Sequence, residues 1–137
     1  MRSLPSGLPE AVGDDEDLAR FLTFSSQYTS LMAKPAAFLP NPKDRERSVF
    51  RHGREPREGL WQVARDHVIR DGHRLHGAAL VKARDVREAL LDVRATEPPP
   101  RHASIIGWPW LDDLELQKAQ QKERAARLAQ VSELLLV

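Results

Sequence analysis

Three consecutive prolines, Pro98, Pro99 and Pro100, separate two stretches in which apolar and polar residues alternate, 91–95 and 101–107. Each proline removes an amide donor and biases the residue before it toward extended backbone, so no helix can cross this point. The chain must therefore enter and leave the triproline as strands, which predicts an antiparallel pair joined by a proline turn. In the second strand Ala103, Ile105 and Gly107 point to one face, and His102, Ser104, Ile106 and Trp108 to the other. His102 thus lines up with Ser104, which makes its imidazole a candidate acid–base group.

The same reasoning places the other elements. Residues 47–52 (RSVFRH) alternate, with Ser48, Phe50 and His52 on one face and Val49 and Arg51 on the other. From about 56 to 71, Leu60, Val63, Ala64 and Val68 recur at helical spacing, with Pro56 at the start and Gly72 as a stop. Residues 73–83 read as a strand with helix as the competing assignment, and Gly77 there permits close backbone approach. Asp85 can cap a short following helix. A second main helix, about 112–130, opens on an Asp112-x-x-Glu115 capping box. Leu116, Ala119, Ala126, Leu128 and Ala129 give it only a thin apolar face. The apolar end 134–137 suits a final strand. For 18–32 (LARFLTFSSQYTSLM) both a helix turn and a strand fit. The expected fold class is α+β: a small mixed or antiparallel sheet of four to five short strands with two main helices.

A chain of 137 residues suffices for one domain with its own core. Residues 1–17 are rich in Pro, Gly and acidic side chains and read as a disordered tail, leaving 18–137 as the single domain. The net charge of +1 argues against strong general affinity for nucleic acid, and no apolar run reaches membrane-spanning length, so no membrane partner is expected. The absence of cysteine excludes disulfides, thiol catalysis and Cys-based metal sites, and fits a cytoplasmic setting. His73-x-x-His76 lacks a third ligand, so neither metal nor cofactor is expected.

Charge is locally uneven. Arg far outnumbers Lys, and Arg suits bidentate contacts to phosphate and carboxylate. Between 43 and 57, Lys43, Arg45, Arg47, Arg51, Arg54 and Arg57 stand against Asp44, Glu46 and Glu55, six cations to three carboxylates.

Two functional readings follow. In the first, Trp108, Trp110 and Leu135 form an interface, and the protein is a small soluble accessory or protein-interaction protein with a protein partner or a second copy of itself. In the second it is a small metal-independent enzyme or binder for a phosphate-containing or nucleotide-like ligand. There His102, Arg51 and His52 carry the chemistry, while Arg20, Ser26 and Ser104 hold the ligand, provided that the strand of 48–52 pairs near that of 102–107.

The blocks Phe38-x-Pro40, Ser48-Val49-Phe50-Arg51 and Arg101-His102-Ala103-x-Ile105-x-Gly107-Trp108-Pro109, spread over roughly residues 18–130, resemble a family of small, uncharacterised bacterial proteins. That resemblance implies a bacterial setting and imports no activity and no site residue.

Overall fold

The structure is a computed structural model that describes residues 3–53 and 56–137. Met1 and Arg2 of the expected tail, and Arg54 and Glu55 of the basic stretch, lie outside the described residues. The chain is α+β: strands β1 (Asp17–Leu22), β2 (Arg47–His52), β3 (Gly77–Lys82), β4 (Asp92–Ala95), β5 (His102–Ile106) and β6 (Glu133–Leu136) surround helices α1 (Arg57–His67), α2 (Ala83–Glu88) and α3 (Leu114–Val131). All strand pairs are antiparallel, in the order β4-β5-β2-β1-β3-β6.

The sheet has six strands rather than four or five. The additional one is β1, from the stretch where strand and helix both fitted. It lies in the middle of the sheet, pairing β3 along its whole length from Asp17↔Lys82 to Leu22↔Gly77. Burial on both faces (Leu18, Ala19, Phe21, Leu22) gives it the continuous apolar character of a central strand, which hides the two-residue period.

Element ends also differ from the sequence reading. Helix α1 stops at His67, four residues early, and Gly72 (φ +82°) belongs to the turn beyond it. Asp113, not Asp112, caps α3, its carboxylate accepting from the amides of Glu115 and Leu116. Lys82 occupies the cap position of α2, and Asp85 falls in the first turn instead. Along α3 the buried residues are Ala125, Leu128 and Ala129, whereas Leu116 is exposed, because only the last turns of the helix reach the sheet. No described helix is long and apolar enough to cross a membrane.

The proline turn does what its chemistry requires. β4 and β5 are neighbours, from Asp92↔Ile106 to Ala95↔Ala103, and the Glu97–Pro98 and Pro98–Pro99 peptide bonds between them are cis. At the opposite side of the sheet, Gly77 lets β6 approach: a Cβ there would lie 2.1 Å from the Leu135 carbonyl oxygen.

Two apolar layers flank the sheet. One gathers Leu18, Leu22, Val49, Val81, Val93, Ile105 and Trp108 beneath α2, α3 and the loop around Phe38. The other packs Leu60, Trp61 and Ala64 of α1 onto Ala19, Phe21, Phe50, Ala78 and Leu135. Residues 3–16, expected as a tail, make specific contacts: Val12 is buried in the first layer, Ser6 Oγ donates to Glu97 Oε2 (2.5 Å), and the Pro9 and Ala11 carbonyls accept from Arg51. Composition could not reveal this, since backbone carbonyls held by a distant arginine leave no mark on local hydropathy.

A cationic cleft over the split between β1 and β2

Helix α1 covers only part of its face of the sheet. Residues paired across the ladders share a face, so one row runs His102–Phe50–Ala19–Leu80–Glu133 and another Arg94–Ser104–Ser48. The rows are apolar beneath α1 and turn polar toward β5 and β4. At that boundary lies a cleft of about 320 Å³ lined by Arg20, Ser48, Phe50, His67, Arg70 and His102 among others.

Its floor is a break in the sheet. The β1–β2 ladder comprises only Asp17↔His52, Leu18↔Arg51 and Ala19↔Phe50, so Arg20 and its successors pair with β3 alone while Arg47–Val49 pair with β5 alone. Arg20 alternates with Ala19 and Phe21 and so leaves β1 on the face of Leu18 and Leu22, opposite α1; its guanidinium lies at the split, donating from Nε to the Ala37 carbonyl (2.7 Å) and from Nη1, at a long 3.5 Å, to the Ser48 carbonyl. No carboxylate among the described residues pairs with it. Burial, with the positive charge of Arg47 adding to it, pushes the Arg20 pKa down to about 9. It remains a cation at neutral pH, and a poorly compensated one. Arg47 is lowered too, mainly by burial and against the attraction of Asp44, and its Nε donates to the Leu39 carbonyl (2.5 Å).

Two imidazoles frame the cleft through Phe50. His67 stacks on that ring, centroids 6.3 Å apart, and His102 meets it edge-on at 5.2 Å. His102 Nδ1 is committed to Thr96, 2.6 Å from Oγ1 and 3.2 Å from the carbonyl oxygen, and Thr96 Oγ1 is 3.1 Å from Ser104 Oγ. Nε2 is the ring nitrogen with no hydrogen-bond partner among the described residues. Burial lowers the His102 pKa, outweighing the Thr96 carbonyl and the attraction of Glu46 and Asp44, so the ring is neutral at pH 7 and can accept or donate one hydrogen bond.

The expected site residues are only partly gathered here. Arg20 and His102 line the cleft, and Ser104 stands behind His102 through Thr96, two hydrogen bonds away, while the direct pairing of β2 with β5 sets Ser104 opposite Ser48. Arg51 points to the other face of the sheet, 2% exposed and bonded to Glu16. His52 lies at the far end of β2, outside the cleft, and Ser26 sits exposed in the short 3-10 turn Ser25–Gln27, also outside it. Trp108 (4% exposed) and Leu135 (7%) are core residues, and Trp108 Nε1 donates to the Ile105 carbonyl. Trp110 is partly buried against the core, with the Arg45 guanidinium 4.8 Å from its ring centroid.

Ser48, Phe50, His67 and Arg70 belong to the cleft and were not singled out by sequence. His67 closes α1 and Arg70 lies in the connector beyond it, so no helical spacing links the two and local sequence did not mark them. Among the described residues no group of three or more His, Asp or Glu is placed to hold a metal ion. No protein-family profile, curated protein or solved structure matches the chain.

Proposed function

We propose that this protein binds a phosphate-containing ligand in the cleft over the β1–β2 split, without a metal. The observation that carries the reading is the Arg20 guanidinium, held at the split by the Ala37 carbonyl, with the Ser48 carbonyl at 3.5 Å, and by no carboxylate among the described residues. A half-buried cation without a counter-charge is poorly stabilised, and an incoming dianion supplies that charge. Guanidinium groups match phosphate oxygens in a two-point geometry, and Arg70, His67, Ser48 and His102 surround the same space with further polar groups. Phe50 already has both imidazoles against its ring, so it walls the cleft and offers no free platform for a base.

Isothermal titration calorimetry and NMR shift mapping with inorganic phosphate and simple phosphomonoesters test this. Saturable binding that perturbs Arg20 and His102 and disappears in Arg20→Met is expected. Absence of binding, or wild-type binding by Arg20→Met, overturns the reading.

The protein-interaction reading has one supporting observation of its own. β6 borders the sheet with an unpaired outer edge and exposes Leu136 beside it. Light scattering decides whether copies associate through it, and a strict monomer that captures no partner strand counts against it.

A further inference from the structure

We infer that the phosphate-containing ligand is single-stranded nucleic acid, laid across the segment that links α1 to β3. The inference rests on the anion-binding reading of the cleft and extends it to a second one. On the other side of the same connector lies a larger cleft, about 530 Å³, lined by Tyr28, Arg65, His73, Arg74 and His76 with Ile69 and Leu75 between them. His67, Val68 and Arg70 face the first cleft, and residues 69 and 73–76 face the second. Six basic side chains thus fall within twelve residues, 65–76, and are divided between two neighbouring hollows.

The carboxylates nearby are few and partly engaged. Asp66 accepts from Gln62 Nε2 (2.8 Å), and Glu58 approaches Arg65 only at 3.9 Å; Asp71 lies in the connector itself. Arg70 and Arg74 form no ion pair among the described residues. In the second cleft Tyr28 Oη and His76 Nδ1 are 2.6 Å apart, which fixes the ring and leaves its Nε2 as the remaining hydrogen-bonding atom. A single small anion cannot reach both hollows, whereas a chain of phosphates can cross the ridge and place one group in each.

The second observation is aromatic. Phe24 is 50% exposed and meets His73, a lining residue of the second cleft, edge-on at 5.2 Å. An exposed ring beside a cationic track is the combination that holds single strands, the guanidiniums following the backbone while a base stacks on the ring. A stiff duplex cannot bend over a ridge of one connector or present its bases to Phe24. The net charge of +1 is no obstacle, because contact is set by the local concentration of cations and not by their total.

Fluorescence anisotropy with labelled dodecauridylate, a labelled twelve-base-pair RNA duplex and unlabelled polyphosphate as competitor tests the inference, beside the phosphate titration above. Expected are binding at least tenfold tighter than inorganic phosphate, weaker binding of the duplex, and a log–log salt slope near −2, about 0.7 for each of three guanidinium contacts. Arg70→Ala with Arg74→Ala should flatten that slope to about −0.7. Phe24→Ala should weaken dodecauridylate about tenfold and leave polyphosphate unchanged. Phosphate binding without tighter oligonucleotide binding overturns the inference and leaves the anion cleft standing; failure of both removes both. Equal affinity for the duplex, or oligonucleotide binding untouched by Phe24→Ala or by Arg20→Met, also overturns it.

Discussion

Arg51 and Glu16 form a two-point ion pair, Nε to Oε1 at 2.7 Å and Nη2 to Oε2 at 2.8 Å, on the face of the sheet opposite the cationic cleft. The remaining donors of the same guanidinium go to the Pro9 and Ala11 carbonyls, so one buried side chain ties β2 to the whole N-terminal segment. These contacts explain how Arg51, 2% exposed, can lie inside the sheet.

Removing the guanidinium strips the Pro9 and Ala11 carbonyls of this donor and leaves Glu16 with the Gly13 amide but without its cationic partner. Arg51→Ala should therefore destabilise the protein by ~3 kcal/mol, as is typical when one member of a buried pair is lost. Urea unfolding measures this, and amide hydrogen exchange should show residues 3–16 opening first. A variant of unchanged stability would mean that the segment is held by other contacts.

The Glu16 carboxyl carries a pH signature. Burial would raise its pKa, but hydrogen bonds from Arg51 and the Gly13 amide, with the charges of Arg51 and Arg87, together hold it below the ordinary glutamate value. A depressed folded-state pKa contributes stability present above the unfolded value, ~4.3, and lost as pH falls through the folded one. Glu16→Gln should be less stable than the wild type at pH 7, with the gap closing toward pH 3.

His102 adds a second pH dependence higher on the scale. Its folded pKa lies below the unfolded value of ~6.5, so the unfolded chain binds the proton more readily, and stability drops as pH falls below that value. His102→Gln should flatten the wild-type slope between about pH 6.5 and 5, read as the difference between the two proteins in urea melts. Parallel slopes would show the ring to be as accessible to protons when folded as when unfolded.

Arg20 separates function from stability. Replacing a half-buried cation by an apolar side chain of similar length relieves its desolvation, while the Ala37 carbonyl loses a donor, so Arg20→Met should change stability by no more than ~1 kcal/mol. Loss of phosphate binding with the melting temperature held is the expected pair of results.

Gly77 sets how closely β6 can approach. The added methyl of Gly77→Ala meets a backbone oxygen at 2.1 Å, which cannot rotate away, so β6 must shift; a cost of ~1–3 kcal/mol follows. Thermal melts and exchange of the 133–136 amides measure it, and the loss should be concentrated at that edge.

Much of the architecture was legible in the sequence, for local reasons. The triproline enforced the β4–β5 pairing, the period of Leu60, Val63, Ala64 and Val68 marked the face of α1 that packs on the sheet, with Val63 and Val68 at its partly buried margin, and Gly77 marked a close approach. β1 was not legible, because a central strand buried on both faces has no alternation to read. Arg51 misled for the opposite reason: a charged residue is expected to face water, and nothing local announces a carboxylate thirty-five residues earlier waiting on the inner face. Trp108 and Leu135, expected at an interface, went to the core because large apolar groups gain most from burial wherever the fold offers space.

By itself, then, the sequence determined where strands and helices can form and which side of each is apolar, since those depend on backbone sterics and on spacing within one segment. It even placed His102 and Ser104 on a common face. Tertiary structure alone decided that β1 and β2 part after Ala19 and Phe50, that Arg20 lies at the opening with no carboxylate partner among the described residues, and that the end of α1 and the connector after it bring His67 and Arg70 over it. Those relations join segments up to about fifty residues apart. They are fixed by how the two apolar layers pack against the sheet, a balance summed over the whole core that no short window of residues contains.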